Sequence, residues 1–136
     1  MAQAAAALVA RHLPQWEIID YASASKLDAP SGTARELAER LAAVRHPHVE
    51  VPMEQVAGTR EARGATVAGA QIHSLRLPSF VVSTEVVFAL PDERLSIRHD
   101  AGGTAEPYVS GTLLAIRAVR GITGLVRGLD TLMLSA

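Results

Sequence analysis

The chain has 136 residues, about one domain's length, with 49% hydrophobic and 20% charged residues, a composition that excludes a disordered or acidic-tail protein. Thirteen basic residues against fourteen acidic ones give a net charge of -1, which leaves no excess to hold a phosphate backbone and argues against nucleic acid as a partner. Cysteine is absent, so disulfides and thiolate chemistry are excluded, in keeping with a reducing, cytoplasmic setting.

No apolar run approaches the ~20 residues that span a bilayer, so no membrane partner is expected. The Ala-rich start, residues 1–10, lacks the basic flank and Leu-rich centre of a signal peptide and runs on through Arg11 and His12. It predicts a helix over residues 2–13, closed by Pro14, whose uncapped beginning resembles a longer helix that has been cut. Residues 16–21 (W-E-I-I-D-Y) predict a strand, and residues 22–33, with Pro30 and Gly32 among small polar side chains, a loop. Ala34, Leu37, Ala38, Leu41 and Ala42 follow at amphipathic-helix spacing. Thr33 and Glu36 form a capping-box pattern at its start, with Ser31 an alternative N-cap.

The pattern then weakens. Residues 49–56 read as a strand and 58–69 as a polar loop. Strands are expected at 70–77, 80–90 and 94–99, the last two joined by a tight hairpin at Pro91-Asp92-Glu93. Both faces of 80–90 are apolar, which predicts helices on one side of the sheet and a partner on the other. Residues 107–120 read as a helix despite Gly111, and the tail to Ala136 as irregular or a short turn. Together these predict an α+β domain with a mixed, largely antiparallel sheet.

No glycine-rich fingerprint follows a strand, so no nucleotide site is expected in this chain. His46 and His48 lie in an H-P-H loop without a carboxylate pair, and no metal site is expected. His73 and His99 read as packed or interfacial, His12 as a helix-surface residue. The stretch Lys26-Leu-Asp-Ala-Pro-Ser-Gly-Thr33 is different. It ends at a helix N-terminus, where free N–H groups and the positive end of the helix dipole receive an anion. Ser31 and Thr33 add hydroxyls, Gly32 lets a ligand approach, and Lys26, the one lysine of the chain, brings a charge and a proton to donate. This is a carboxylate pocket with a general acid, or simply a capped helix behind a solvated lysine.

Lys26, Asp28, Ala29, Pro30, Ser31, Gly32, Thr33 and Ala34 also match, without a gap, the motif E-x-H-H-x-x-K-x-D-A-P-S-G-T-A, and the stretch resembles the signature of 4-hydroxy-tetrahydrodipicolinate (dihydrodipicolinate) reductases. The resemblance runs from about Leu13 to the C-terminus. It implies a single substrate-binding and oligomerisation domain over residues 1–136, whose open sheet pairs with other copies in a homotetramer. It implies that Lys26 is catalytic, as proton donor, and that Ser23, Ser31, Gly32 and Thr33 bind a small dicarboxylate substrate of the lysine and diaminopimelate pathway. NADPH or NADH would be held by an N-terminal domain absent from this chain, which would bind no cofactor and reduce nothing alone.

Two departures accompany the match. The family's His-His pair is Ala22-Ser23 here, neither of which shuttles a proton as imidazole does. A family Gly-x-His before the central strand is replaced by Val82-Ser83-Thr84. Two other readings therefore stand beside the first: a related imine or keto-acid reductase in which Lys26 alone or Tyr21 supplies the proton, and a non-catalytic self-associating domain.

Overall fold

The protein is described from a computed structural model over residues 2–134; the expectations for Met1 and for the tail at Ser135 and Ala136 lie outside the described residues. The chain forms two compact units, Ala2–Ala101 and residues 102–134.

The first unit runs α1 (Ala2–Ala10), β1 (Gln15–Ala22), α2 (Gly32–Val44), β2 (Ala65–Val67), β3 (Ala70–Arg76), β4 (Val82–Leu90) and β5 (Glu93–Ala101). The strands form one sheet in the order β2-β3-β1-β4-β5. The β1–β3 pair is parallel, with Ile18 opposite Ile72; the other pairs are antiparallel, with Trp16 opposite Phe88 and Val86 opposite Ile97. This is the expected α+β layout with a mixed, mostly antiparallel sheet.

Alternation along β1 sorts its side chains between two environments. Trp16, Ile18, Asp20 and Ala22 are buried on the face covered by α1 and α2; Gln15, Glu17, Ile19 and Tyr21 lie half-buried on the other. The covered face holds the core, where Leu37 and Leu41 of α2 meet Ile18, Ile72, Val86 and Phe88, and the Trp16 and Phe88 rings pack with centroids 6.5 Å apart. Ala6, Ala10, Ala34 and Ala38 are all buried, and side chains this small let the two helices approach one another and the sheet closely.

The structure departs from the sequence reading at several element ends. α1 stops at Ala10, and residues 11 and 12 form a turn in which the His12 N–H reaches the Val9 carbonyl. The cap of α2 is Ser31, whose hydroxyl accepts the Ala34 N–H, so the helix starts before Thr33. Residues 49–56 hold no strand; a 3-10 turn occupies Met53–Gln55 behind Pro52, which has no N–H to give a ladder. The expected loop at 58–69 contains a 3-10 turn, Arg60–Arg63, and the strand β2, too short at three residues to show a period. β4 begins at Val82, later than expected, and Phe80 instead packs its ring 5.1 Å from that of Tyr21. The hairpin into β5 is as expected.

The second unit contains α3 (Glu106–Ala118), a 3-10 turn at Val119–Gly121 and α4 (Asp130–Leu134). Gly111 sits inside α3 where a Cβ would stand 2.9 Å from a Leu129 methyl, so the missing side chain makes room for Leu129.

β2 and β3 are joined by Ala68-Gly69, both with positive φ (50° and 84°), the geometry of a primed two-residue hairpin turn. Alanine is strained there and asparagine is not. Ala68→Asn is expected to stabilise the protein by about 0.5–1 kcal/mol in urea unfolding; a loss of stability would contradict the turn assignment.

Candidate functional site

The loop between β1 and α2 starts from a buried charge. Asp20, 1% exposed, points from β1 into the covered face beneath the start of α2. Its Oδ2 accepts the Ser31 N–H at 2.8 Å, the Ser74 hydroxyl at 3.1 Å and Arg76 Nη2 at 2.8 Å, and its Oδ1 accepts the Ser31 hydroxyl at 2.6 Å. Burial pushes the Asp20 carboxyl up, but the hydrogen bonds from Ser31 and Arg76 and the Arg76 charge together outweigh it and hold the carboxyl below its ordinary range.

Arg76, at the end of β3, reaches further. Nη2 also donates to the Asp28 carbonyl at 2.7 Å, and Nη1 to the carbonyls of Leu75 at 2.9 Å and Asp20 at 3.2 Å. Removing the guanidinium would strand a buried carboxylate, at a cost of about 3–5 kcal/mol.

The residues singled out by sequence fall along one turn. Ser31 is buried and its hydroxyl is used twice, donating to Asp20 and accepting the Ala34 N–H, so its side chain faces the interior. Gly32 and Thr33 are exposed, and their N–H groups have no hydrogen-bond partner among the described residues; nothing lies within 4 Å of where a Gly32 Cβ would stand. These two N–H groups, the Thr33 hydroxyl and the α2 dipole make a site open to an anion. The Lys26 ammonium is 2.7 Å from Asp28 Oδ1, and that hydrogen bond is the largest of the influences that lower the Asp28 carboxyl. The Ala29–Pro30 peptide is cis. Ser23 opens the turn: its carbonyl accepts the Lys26 N–H, and its hydroxyl lies 2.9 Å from that of Ser25. Ala22 is buried at the end of β1.

Tyr21 projects from the opposite face of the sheet. Its hydroxyl donates to Glu85 at 3.0 Å, and the Arg98 guanidinium lies 4.6 Å from its ring centroid. Burial and the Glu85 carboxylate raise the Tyr21 phenol above its ordinary value, and its hydroxyl is engaged by Glu85 on the face of β1 opposite Asp20. The same open face carries His73, whose Nε2 is 2.6 Å from Glu17, a carboxylate also bonded by Arg63. Beside them the segment 47–63 walls a groove of about 980 Å³ with Ile19, Val87, Val49 and Val56 in its lining. No cluster of metal-ligating side chains occurs among the described residues, and no helix among them is long and apolar enough to cross a membrane. Asp20, Ser74 and Arg76 were missed by sequence reasoning; the acidic position six residues before Lys26 was the one signal for Asp20.

A family model described as dihydrodipicolinate reductase, C-terminus, matches residues 1–133. The chain belongs to the dihydrodipicolinate reductase family. It is 46% identical over 126 residues to the 4-hydroxy-tetrahydrodipicolinate reductase of Moorella thermoacetica, covering 91% of this chain and 46% of that protein. The enzyme of the same name from Desulfitobacterium hafniense is 40% identical over 124 residues, covering 91% of this chain and 46% of the relative. Among solved structures, dipicolinate-bound dihydrodipicolinate reductase from Paenisporosarcina sp. TG-14 matches with a TM-score of 0.82 and 35% identity, over 96% of this chain and 49% of that one. The chain thus spans about half the length of these family members.

Asp20 carries a testable sign. A carboxyl whose folded pKa is depressed contributes stability above its unfolded value, about 3.8, and that contribution is lost as pH falls through the lower folded value. Asp100 is also lowered, mainly by its hydrogen bond from Arg98, but it is exposed and screened. Urea unfolding between about pH 3 and pH 7 should show stability falling towards acid, with Asp20→Asn flattening the fall more than Asp100→Asn. Equal slopes in the two variants would contradict the Asp20 assignment.

Proposed function

We propose that this chain is the substrate-binding and oligomerisation domain of an NAD(P)H-dependent 4-hydroxy-tetrahydrodipicolinate reductase of lysine and diaminopimelate biosynthesis, acting in the cytoplasm. The observation that carries the reading is the pair of unpartnered N–H groups on Gly32 and Thr33, which follow Lys26 in the motif that resembles the family's signature. A relative of this fold binds dipicolinate, a small planar dicarboxylate. One substrate carboxylate then sits on the Gly32 and Thr33 N–H groups and the Thr33 hydroxyl. Ser31 serves the site as the cap that presents those groups, and Ser23 faces the substrate from the start of the turn.

Lys26 is the proton donor. Its ammonium leaves Asp28 for the substrate, gives up a proton as hydride is added, and water departs from the hydroxylated ring. NADPH or NADH supplies the hydride when bound. In this reading the nicotinamide cofactor is held by the part of the full-length protein outside this chain, as the family resemblance implies. The open face, with its groove of about 980 Å³ and half-buried Ile19 and Val87, supports self-association there, as a homotetramer in this reading.

Ala22 and Ser23 favour a second reading. With a buried methyl and a hydroxyl engaged by Ser25 where the family resemblance places imidazoles, the fold would serve a related imine or keto-acid substrate. Calorimetry and turnover of the full-length protein separate the two. Pyridine-2,6-dicarboxylate should bind, Lys26→Ala should weaken it about ten- to hundredfold, and 4-hydroxy-tetrahydrodipicolinate should be reduced. Binding without reduction favours the changed substrate; affinity unaltered by Lys26→Ala contradicts both.

A further inference from the structure

The Lys26 turn has little to hold it by itself. Residues 24–29 are exposed, and the bonds within the turn are the Lys26–Asp28 ion pair, one backbone turn and the Ser23–Ser25 contacts. Its tie to the rest of the fold comes from a side chain 48 residues away: Arg76 Nη2 donates at once to the Asp28 carbonyl and to the Asp20 carboxylate. That same carboxylate holds both the N–H and the hydroxyl of Ser31. One guanidinium therefore fixes the segment carrying Lys26 relative to the helix start carrying Gly32 and Thr33.

We propose that Arg76 is a positioning residue of the anion site, which sets dicarboxylate affinity by locking the Lys26–Asp28 segment to the Asp20–Ser31 cap. It touches no substrate; it acts through the Asp28 carbonyl and Asp20. The proposal rests on the reading of this loop as a carboxylate site. The guanidinium is suited to the task because its planar fork serves four acceptors at once: the Asp20 carboxylate and the carbonyls of Asp20, Leu75 and Asp28. Its Nε is buried with no partner among the described residues, so the side chain is held through its two terminal nitrogens. A lysine ammonium carries the charge on a single nitrogen with three donors and no fork, so it satisfies Asp20 while releasing Asp28.

The test uses the full-length protein, with pyridine-2,6-dicarboxylate as probe. Arg76→Lys should fold, weaken binding of the probe about tenfold or more, and leave the KM for the nicotinamide cofactor within about twofold. Because Arg76→Met alone strands a buried carboxylate, Asp20→Asn combined with Arg76→Met removes both charges together and should show the same selective loss. If both variants melt lower but bind the probe as tightly as the parent, Arg76 is a stability residue only and the proposal is overturned. Lys26→Ala run in parallel tells the two failures apart. A Lys26 variant that loses the probe while the Arg76 variants keep it removes this inference alone; a Lys26 variant that also keeps it removes the carboxylate site and Arg76's role with it.

Discussion

A carboxylate buried in the central strand organises this end of the molecule. Asp20 lies on β1, which is flanked by β3 and β4, and is almost wholly removed from water. A charge so placed is tolerated only when its oxygens are filled with donors. Four are supplied, by three residues from two separate parts of the chain: Ser31 at the start of α2, and Ser74 and Arg76 along β3. Each of those parts takes its position from the need to satisfy Asp20. The start of α2 is pinned over the strand end, the end of β3 is drawn beside it, and the intervening turn is fastened through Arg76.

The orientation of the cap has a chemical consequence. Ser31 turns its own N–H and hydroxyl inward to Asp20, and its hydroxyl also takes the Ala34 N–H. The first-turn donors left over are those of Gly32 and Thr33, two exposed residues, with open space where a Gly32 Cβ would stand. A helix terminus presented this way attracts anions without any further charge. The same turn carries the Lys26 ammonium, paired with Asp28. The alternation of β1 keeps this chemistry apart from the other face, where Tyr21, Glu85 and Arg98 interact with one another and Glu17 gathers Arg63 and His73.

Much of this could be read from the sequence, and the part that could not has a physical reason. The run from Lys26 to Ala34 is contiguous, so its motif and the helix after it were visible. The apolar period of α2 and the strand-like stretches at β3, β4 and β5 were likewise sufficient to give the α+β layout. Arg76 was invisible because the acceptors that tie it to the loop, Asp28 and Asp20, lie 48 and 56 residues away, and nothing local marks it as different from the other arginines. Ser31 was legible as a residue of the site but its direction was not, since an N-cap hydroxyl and a ligand-binding hydroxyl have the same sequence. β2 escaped because three residues are too few to show alternation, and the 49–56 segment looked like a strand because Val49 and Val51 alternate with Glu50, while Pro52 denies it a ladder.

The central claim is that the Asp20 network leaves the Gly32 and Thr33 N–H groups free for a carboxylate. The most direct measurement is the backbone amide-proton shift of these two residues as pyridine-2,6-dicarboxylate is titrated into the protein. The account predicts that both move downfield, as hydrogen bonds to an anion require, while the amides of the open face, Glu17 and His73 among them, stay where they are. Unmoved Gly32 and Thr33 signals with the ligand bound, or shifts confined to the open face, would contradict it.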